Sequence, residues 1–348
     1  MKTLKRKIEE FWEWFQAEHF RLEREIDAGD KEFAANEIGS RLNNAGISIL
    51  CEAGKNGNGY AVTLSPCSDK TAQLLCRFWR ELAPEISRWK FQPFRKPQVG
   101  VIPELVRALG SNFALDSLRF YLTVKEKEEK LDVWVVSHLF TERDLDDDLA
   151  LCRLLCYILL GEAATEMYIG KVTTAGTPPE QADYPELDAG QFVTVVESAP
   201  LVRPWSVAED PTSLCFGYGK EKEDRDQLRQ DILAGISRHP QLISYPFAVS
   251  DELRLKGGEY CYLYYAVDAK NPQNNAAKLS ENLYQVENLL REYQIGYVIG
   301  HATGRDFNYI DLMILDEPLF RTLFHDTEHI FHIPVSVGYF SLGSRNVQ

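Results

Sequence analysis

The stretch best suited to chemistry is GHATGRDFNYID, residues 300–311. It sets His301, Arg305 and Asp311 among two glycines, a second aspartate and an asparagine, between two apolar runs. An imidazole close to a carboxylate can act as a general base, so these three are the candidate catalytic residues of a hydrolase. Alternation along the strand that starts at Phe307 puts Phe307, Tyr309 and Asp311 on one face and Asn308 and Ile310 on the other. Convergence of His301 with Asp311 therefore depends on the register of the hairpin. The same letters also read as a plain turn, TGRD, with Gly304 free to take positive φ and the polar residues there to be solvated.

A second constellation is FHDTEHIFH, with His325, His329 and His332 spaced four and then three apart. On a helix such positions share a face, as metal-binding histidines must, so His325 and His329 are candidate metal ligands beside Asp326 and Glu328. The stretch is not HExxH, because no Glu follows His325. The run IFHIPVSVGYF reads as extended, which takes His332 off the helix. Surface or core histidines are the simpler reading, and no metal is expected. Asp144, Asp146, Asp147 and Asp148 share the alternation that opens a calcium loop, but Leu149 stands where that loop needs Gly and no Glu closes it. Acids crowd a helix N-terminus because the free N–H groups favour negative charge there.

Seven cysteines are present and no CxxC occurs. Cys152 and Cys156 lie four apart among leucines and read as core thiols. No cysteine has an obvious activating neighbour in sequence. GKEKEDRDQ lacks the spacing of a phosphate loop and its acids would repel phosphate; no GxSxG or GxGxxG occurs, and no cofactor is expected.

The elements that must position these residues follow from periodicity and breakers. Ile8, Phe11, Trp12, Phe15, His19 and Leu22 recur at three- and four-residue spacing, which predicts a helix over 3–28. Its aromatic load, including Trp14 and Phe20 off the main stripe, suits a helix packed against more than one element or against a partner. A second helix is expected from Lys31 to Asn44. SILCEA and YAVTLS form a hairpin about GKNGNG, followed by a helix from Asp69 to Leu82 and a strand at RWKFQPF. LRFYLTV and LDVWVVSHL repeat the hairpin, with a helix over 145–161 and a strand at EMYIGKV, so residues 46–95 and 117–172 both read strand, strand, helix, strand and suggest a duplicated unit.

Residues 173–211 are rich in Pro, Gly and Thr and read as a linker with one embedded strand, QFVTVVE. Beyond it SLCFGYG is a strand, DRDQLRQDILAGISRH a helix, LISYPFAV and YCYLYYAVD strands, KLSENLYQVENLLREYQ a helix, and GYVIGHATG and FNYIDLMIL strands. That order is a ferredoxin-like βαββαβ sandwich with an extra C-terminal strand. The expected fold is α+β in two domains, 1–205 and 212–348.

Composition limits the function. With 348 residues and 45% hydrophobic content, the chain is long enough for about two domains, at roughly 150 residues per domain. The net charge of −14 argues against nucleic acid or an anionic membrane and permits a basic protein partner. Glu9, Glu10 and Glu13 interrupt any apolar stretch near the start, so no signal peptide is read there, and a cytoplasmic location is expected.

Three stretches of the first 200 residues, IEEFWEWFQ, LAPEISRWKFQPFRKP and LLGEAATEMYIGKV, resemble a family of bacterial proteins of unknown function. The C-terminal third, through LSENLYQVENLLREYQIGYVIGHATGRDFNYIDLMI, resembles a related domain similar to the ribonuclease E regulator B fold, a ferredoxin-like inhibitor that acts by binding protein. His301 stands where that family usually has Arg. The resemblance implies a fold and no reaction. Together these readings favour a non-catalytic, acidic protein-binding or regulatory factor of the immunity type, with the hydrolase built on His301, Arg305 and Asp311, or on a metal at His325 and His329, as the alternative.

Overall fold

The computed structural model describes residues 2–98, 117–137, 140, 145–205, 210–219, 229–268, 271–324 and 335–340, with backbone alone at 145–147 and 272–273. The fold is α+β. By Cα proximity the chain divides into two compact units, each discontinuous in sequence: 1–62 with 70–91 and 215–348, and 63–69 with 92–214. Where the sequence reading cuts once near residue 212, the N-terminal helices here are grouped with the C-terminal sheet.

In the first unit, α1 (Leu4–Asp27) carries the predicted stripe, and Ile8, Phe11, Trp12, Phe15 and Leu22 are buried. Thr3 caps it by accepting from the Arg6 N–H. Most of the aromatic excess is absorbed within the chain, while Phe20 stays exposed. Trp12 stacks on Trp79 at 4.8 Å and donates from Nε1 to the Trp79 carbonyl at 3.0 Å, and Phe15 meets Trp89 edge-on at 5.0 Å. Off the stripe, Trp14 lies under the Arg41 guanidinium of α2 (Lys31–Asn44), 5.0 Å from its ring centre. The hairpin β1 (Leu50–Asn56) and β2 (Gly59–Ser65) turns at Gly57, which takes φ +60°, and α3 (Lys70–Glu81) leads to β3 (Trp89–Gln92), giving a sheet ordered β1-β2-β3.

The second unit holds β4 (Arg119–Lys125), β5 (Lys130–Val136), α4 (Leu145–Tyr168), β6 (Ile169–Ala175), β7 (Tyr184–Leu187) and α5 (Ala189–Val202). Its sheet is ordered β6-β5-β4-β7, with β5 and β6 parallel across the α4 crossover. Hairpin, helix and third strand thus follow the order 1-2-3 in both stretches read as a repeat. Phe120, Leu122, Val133 and Val135 pack against Cys152, Leu155, Cys156 and Leu159 of α4 and Phe192 and Val196 of α5. QFVTVVE, expected as a strand, lies within α5. Asp188 accepts from the Gln191 N–H at 2.8 Å while the Gln191 side chain accepts from the Asp188 N–H at 3.0 Å, a reciprocal cap that starts a helix and overrides the β-branched run.

The C-terminal part of the first unit is built around six antiparallel strands ordered β13-β10-β12-β11-β9-β8. These are β8 (Phe216–Gly219), β9 (Ile232–Ser237), β10 (Glu259–Ala266), β11 (Gly296–Gly304), β12 (Phe307–Ile314) and β13 (Ser336–Tyr339). With α8 (Pro272–Glu292) and α9 (Glu317–Phe324), the run β10-α8-β11-β12-α9-β13 has the connectivity and the 4-1-3-2 order of a ferredoxin-like sandwich. The motif therefore begins at 259, later than the sequence reading placed it, for two reasons. Ile232–Ser237, read as the end of a helix, is a strand, while 220–228 lie outside the described residues. LISYPFAV, read as a strand, falls in α6 (Pro240–Ser244) and α7 (Pro246–Lys256). Each of these begins on a proline, whose fixed φ and missing N–H suit the first helical position and not a strand.

Candidate functional site

Hairpin register decides where the predicted catalytic residues go. His301 sits opposite Ile310 on β12 and Ile236 on β9, whereas Asp311 sits opposite Gly300 on β11 and Tyr262 on β10. Directly opposed residues share a face, so His301 lies on the side of Ile310 and Asp311 on the other. Burial lowers the His301 pKa, with Asp311 opposing weakly through its charge. Arg305 is exposed in the turn, and its backbone N–H donates to the Asp231 carbonyl at 3.0 Å. The three residues do not converge. Gly304 is not in the left-handed region; a side chain there would meet Cγ of Asp231 at 2.7 Å and the Phe307 carbonyl at 2.8 Å, so close approach explains the glycine. His325, His329 and His332 lie outside the described residues, as does Asp144.

Asp311 instead pairs with Arg229, a residue the sequence reading did not single out. Both side chains are fully buried, and the guanidinium lies 5.0, 5.2 and 4.8 Å from the ring centres of Tyr262, Tyr309 and Phe340. Asp231 closes the turn from below, accepting from the N–H groups of Asp306 and Phe307 and from the Tyr309 hydroxyl. Removing either partner of a buried pair closed in this way would leave an uncompensated charge.

A second buried group is His239 with Thr71 and Tyr260. The Leu242 N–H donates to Nδ1 of His239 at 3.2 Å, which leaves the ring proton on Nε2. Nε2 then donates to the Thr71 hydroxyl at 2.9 Å, and the Thr71 and Tyr260 hydroxyls share a hydrogen bond at 3.1 Å. His239 gives Thr71 a proton and takes none, so it does not activate that hydroxyl as a nucleophile.

The third group lies in the second unit and joins chemistry that the sequence kept far apart. Helix α4 breaks at Gly161, where φ is +78° and ψ is 165°. The break is fully bonded: the Glu162 N–H donates to the Arg95 carbonyl at 2.9 Å, and the Ile158 carbonyl it abandons accepts from the Gln98 N–H at 2.8 Å. A Cβ on Gly161 would meet the Arg95 carbonyl at 3.0 Å and Cδ of Pro97 at 2.9 Å. The break delivers the buried carboxyl of Glu162 to the Ser65 hydroxyl, which donates to it, to the Arg95 N–H at 3.2 Å and to the Cys67 thiol, whose sulfur is 3.7 Å from Oε1. Burial raises the Glu162 pKa, partly offset by these donors and by the Arg95 charge. Burial and the Glu162 charge push the Cys67 thiol up as well. The sequence signal was faint: one Gly-Glu pair closing the apolar run LLCYILLG.

The same unit carries an open cleft of about 540 Å³ between β4 and the segment before β7. It is lined by Tyr121 and Thr123 of β4 and by Pro179, Glu180, Asp183 and Pro185. Asp183 pins that segment to β4, accepting from the Val124 N–H at 2.8 Å and donating its own N–H to the Leu122 carbonyl at 2.9 Å. Glu180 and Asp183 are both exposed, whereas Tyr121 is 8% exposed, so two carboxylates and a mostly buried tyrosine line an accessible space.

Among the described residues, no three His, Cys, Asp or Glu side chains are grouped to hold a metal ion, and no helix is long and apolar enough to cross a membrane. The molecule is thus an α+β protein with a carboxylate-lined cleft and a separate thiol–carboxyl cluster. Comparison with known proteins finds no matching family, no matching curated protein and no matching solved structure.

Proposed function

We propose that this protein is an acidic protein-binding factor, regulatory or immunity-type and cytoplasmic, which holds a basic partner non-covalently. The observation that carries this reading is the cleft lined by Tyr121 and by the exposed carboxylates Glu180 and Asp183. A lysine or arginine side chain entering it gains attraction from both carboxylates, a combination suited to a cation and unsuited to an anion. The net charge of −14 supports the same partner, since it draws a positive protein in and repels nucleic acid. His301 and Asp311 lie on opposite faces of the sheet, which weighs against the alternative of a hydrolase built on them.

The test is affinity capture from the source cell on three immobilised proteins: wild type, a Tyr121→Ala/Glu180→Gln double variant, and an unrelated acidic protein of equal charge. Basic proteins should be enriched on wild type over the charge-matched control and lost from the variant, with retention falling as salt rises. A retained set identical on all three would defeat the proposal.

A further inference from the structure

Around Cys67, four independent features meet that the binding role does not use. Cys67 is an exposed thiol. Its backbone takes φ +50°, a conformation rare outside glycine and asparagine that concentrates at functional sites. Its sulfur lies 3.7 Å from a carboxylate oxygen of Glu162 and 3.9 Å from the Ser65 hydroxyl. Glu162, 1% exposed, is placed there by a helix break that costs a special backbone conformation and two rerouted hydrogen bonds. A break so thoroughly bonded that aims one buried carboxyl at one accessible thiol is the arrangement of a nucleophile and its base.

We propose that Cys67 is an acyl-accepting nucleophile, with Glu162 as its proton acceptor, directed at activated carbonyl compounds such as esters and thioesters. Sγ bonds to the carbonyl carbon while the thiol proton passes to Glu162, and the carbonyl π pair moves onto oxygen. The nearby Arg95 charge, which acts on both Cys67 and Glu162, favours that oxyanion. On collapse the bond to the leaving oxygen or sulfur breaks, and the leaving group takes the proton back from Glu162. The products are an acyl thioester on Cys67 and an alcohol or thiol. Water then adds by the same proton route, releasing a carboxylic acid and restoring the thiol. The direction of both shifts agrees: the thiol rests protonated and needs a base, and a carboxyl raised above its ordinary range is a better one.

The experiment uses the full chain with p-nitrophenyl acetate, following p-nitrophenolate release and locating the acetyl group by peptide mass. Wild type should release a burst and carry the acetyl on Cys67. Cys215→Ser, which removes the other exposed thiol, should behave as wild type; Cys67→Ser should lose the burst. Glu162→Gln should slow acetylation of Cys67 roughly a hundredfold. The wild-type pH–rate profile guards against a Glu162 variant that misfolds: assistance by Glu162 gives a rise through the carboxyl range and then a plateau, whereas unassisted attack climbs steadily to the titration of the thiol. Acetylation of Cys67 no faster than that of Cys215, or a profile without a plateau, overturns the proposal.

Discussion

Two buried carboxyls, Asp311 and Glu162, solve one physical problem in opposite ways. Asp311 is 0% exposed and answered by a full opposite charge, Arg229, which aromatic rings enclose on several sides. Glu162 is 1% exposed and answered by a hydroxyl, a backbone N–H and a thiol, with the Arg95 charge acting without a paired contact to its carboxyl. A neighbouring ion keeps a buried carboxyl charged and fixes it in place. At Glu162 burial is the dominant influence and raises its pKa, against the opposing donors and the Arg95 charge. The residue sitting in a conspicuous sequence motif is therefore the locked one, and the residue in an inconspicuous helix is the one that can still react.

The comparison is tested most severely at Asp311. Replacing it with Ala strips the carboxylate from a guanidinium that has no exposure, and should cost about 3–5 kcal/mol in urea unfolding. Replacing both partners, Arg229→Met with Asp311→Leu, should recover most of that loss, because two apolar side chains avoid the desolvation of two charges. If the single and double replacements destabilise equally, the pair is not acting as a closed electrostatic unit and the contrast with Glu162 weakens.

Sequence reasoning reached the elements whose signal is local. The α1 stripe, the Gly57 hairpin and the strands at 259–266, 296–304 and 307–314 all follow from spacing and turn residues within a short window. It misread QFVTVVE because β-branched residues outweighed the Asp188–Gln191 cap just ahead of them, and LISYPFAV because Pro246 was read inside a strand when it opens a helix. The chemistry was hidden for a different reason. Arg229 and Asp311 are 82 residues apart, and Ser65 and Glu162 are 97 apart. Register put His301 and Asp311 on opposite faces although ten positions separate them in sequence. A motif shows which residues are neighbours along the chain; these sites depend on neighbours across it.

At Gly161 the comparison can be sharpened from the side of Glu162. Gly161→Ala places a Cβ against the Arg95 carbonyl and Cδ of Pro97, at a φ of +78° that L residues adopt at a cost. The expected loss is about 1–3 kcal/mol in thermal or urea unfolding. Relaxation toward a continuous helix would return the Glu162 N–H to the Ile158 carbonyl and swing its carboxyl away from Ser65 and Cys67. Alkylation of Cys67 by iodoacetamide, compared with Cys215 in the same molecule, should change with this substitution while Cys215 does not. Equal stability of Gly161→Ala and wild type would mean the break is not a built feature.

The smallest effect is the most specific to Glu162, because it follows from the sign of its pKa shift. A carboxyl whose folded pKa is raised binds more protons in the native state than in the unfolded one between the two values. Its contribution to stability is fully present below the unfolded carboxyl pKa and is lost as pH rises through the folded value. Glu162→Gln removes this titration while keeping the shape and most of the hydrogen-bonding capacity of the side chain. The stability of wild type minus that of Glu162→Gln, measured by urea unfolding across the acid range, should therefore fall as pH increases. A carboxyl held ionised by an adjacent cation shows the opposite slope. A difference that rises with pH would place Glu162 in the same class as Asp311, and the two buried carboxyls would no longer represent two solutions.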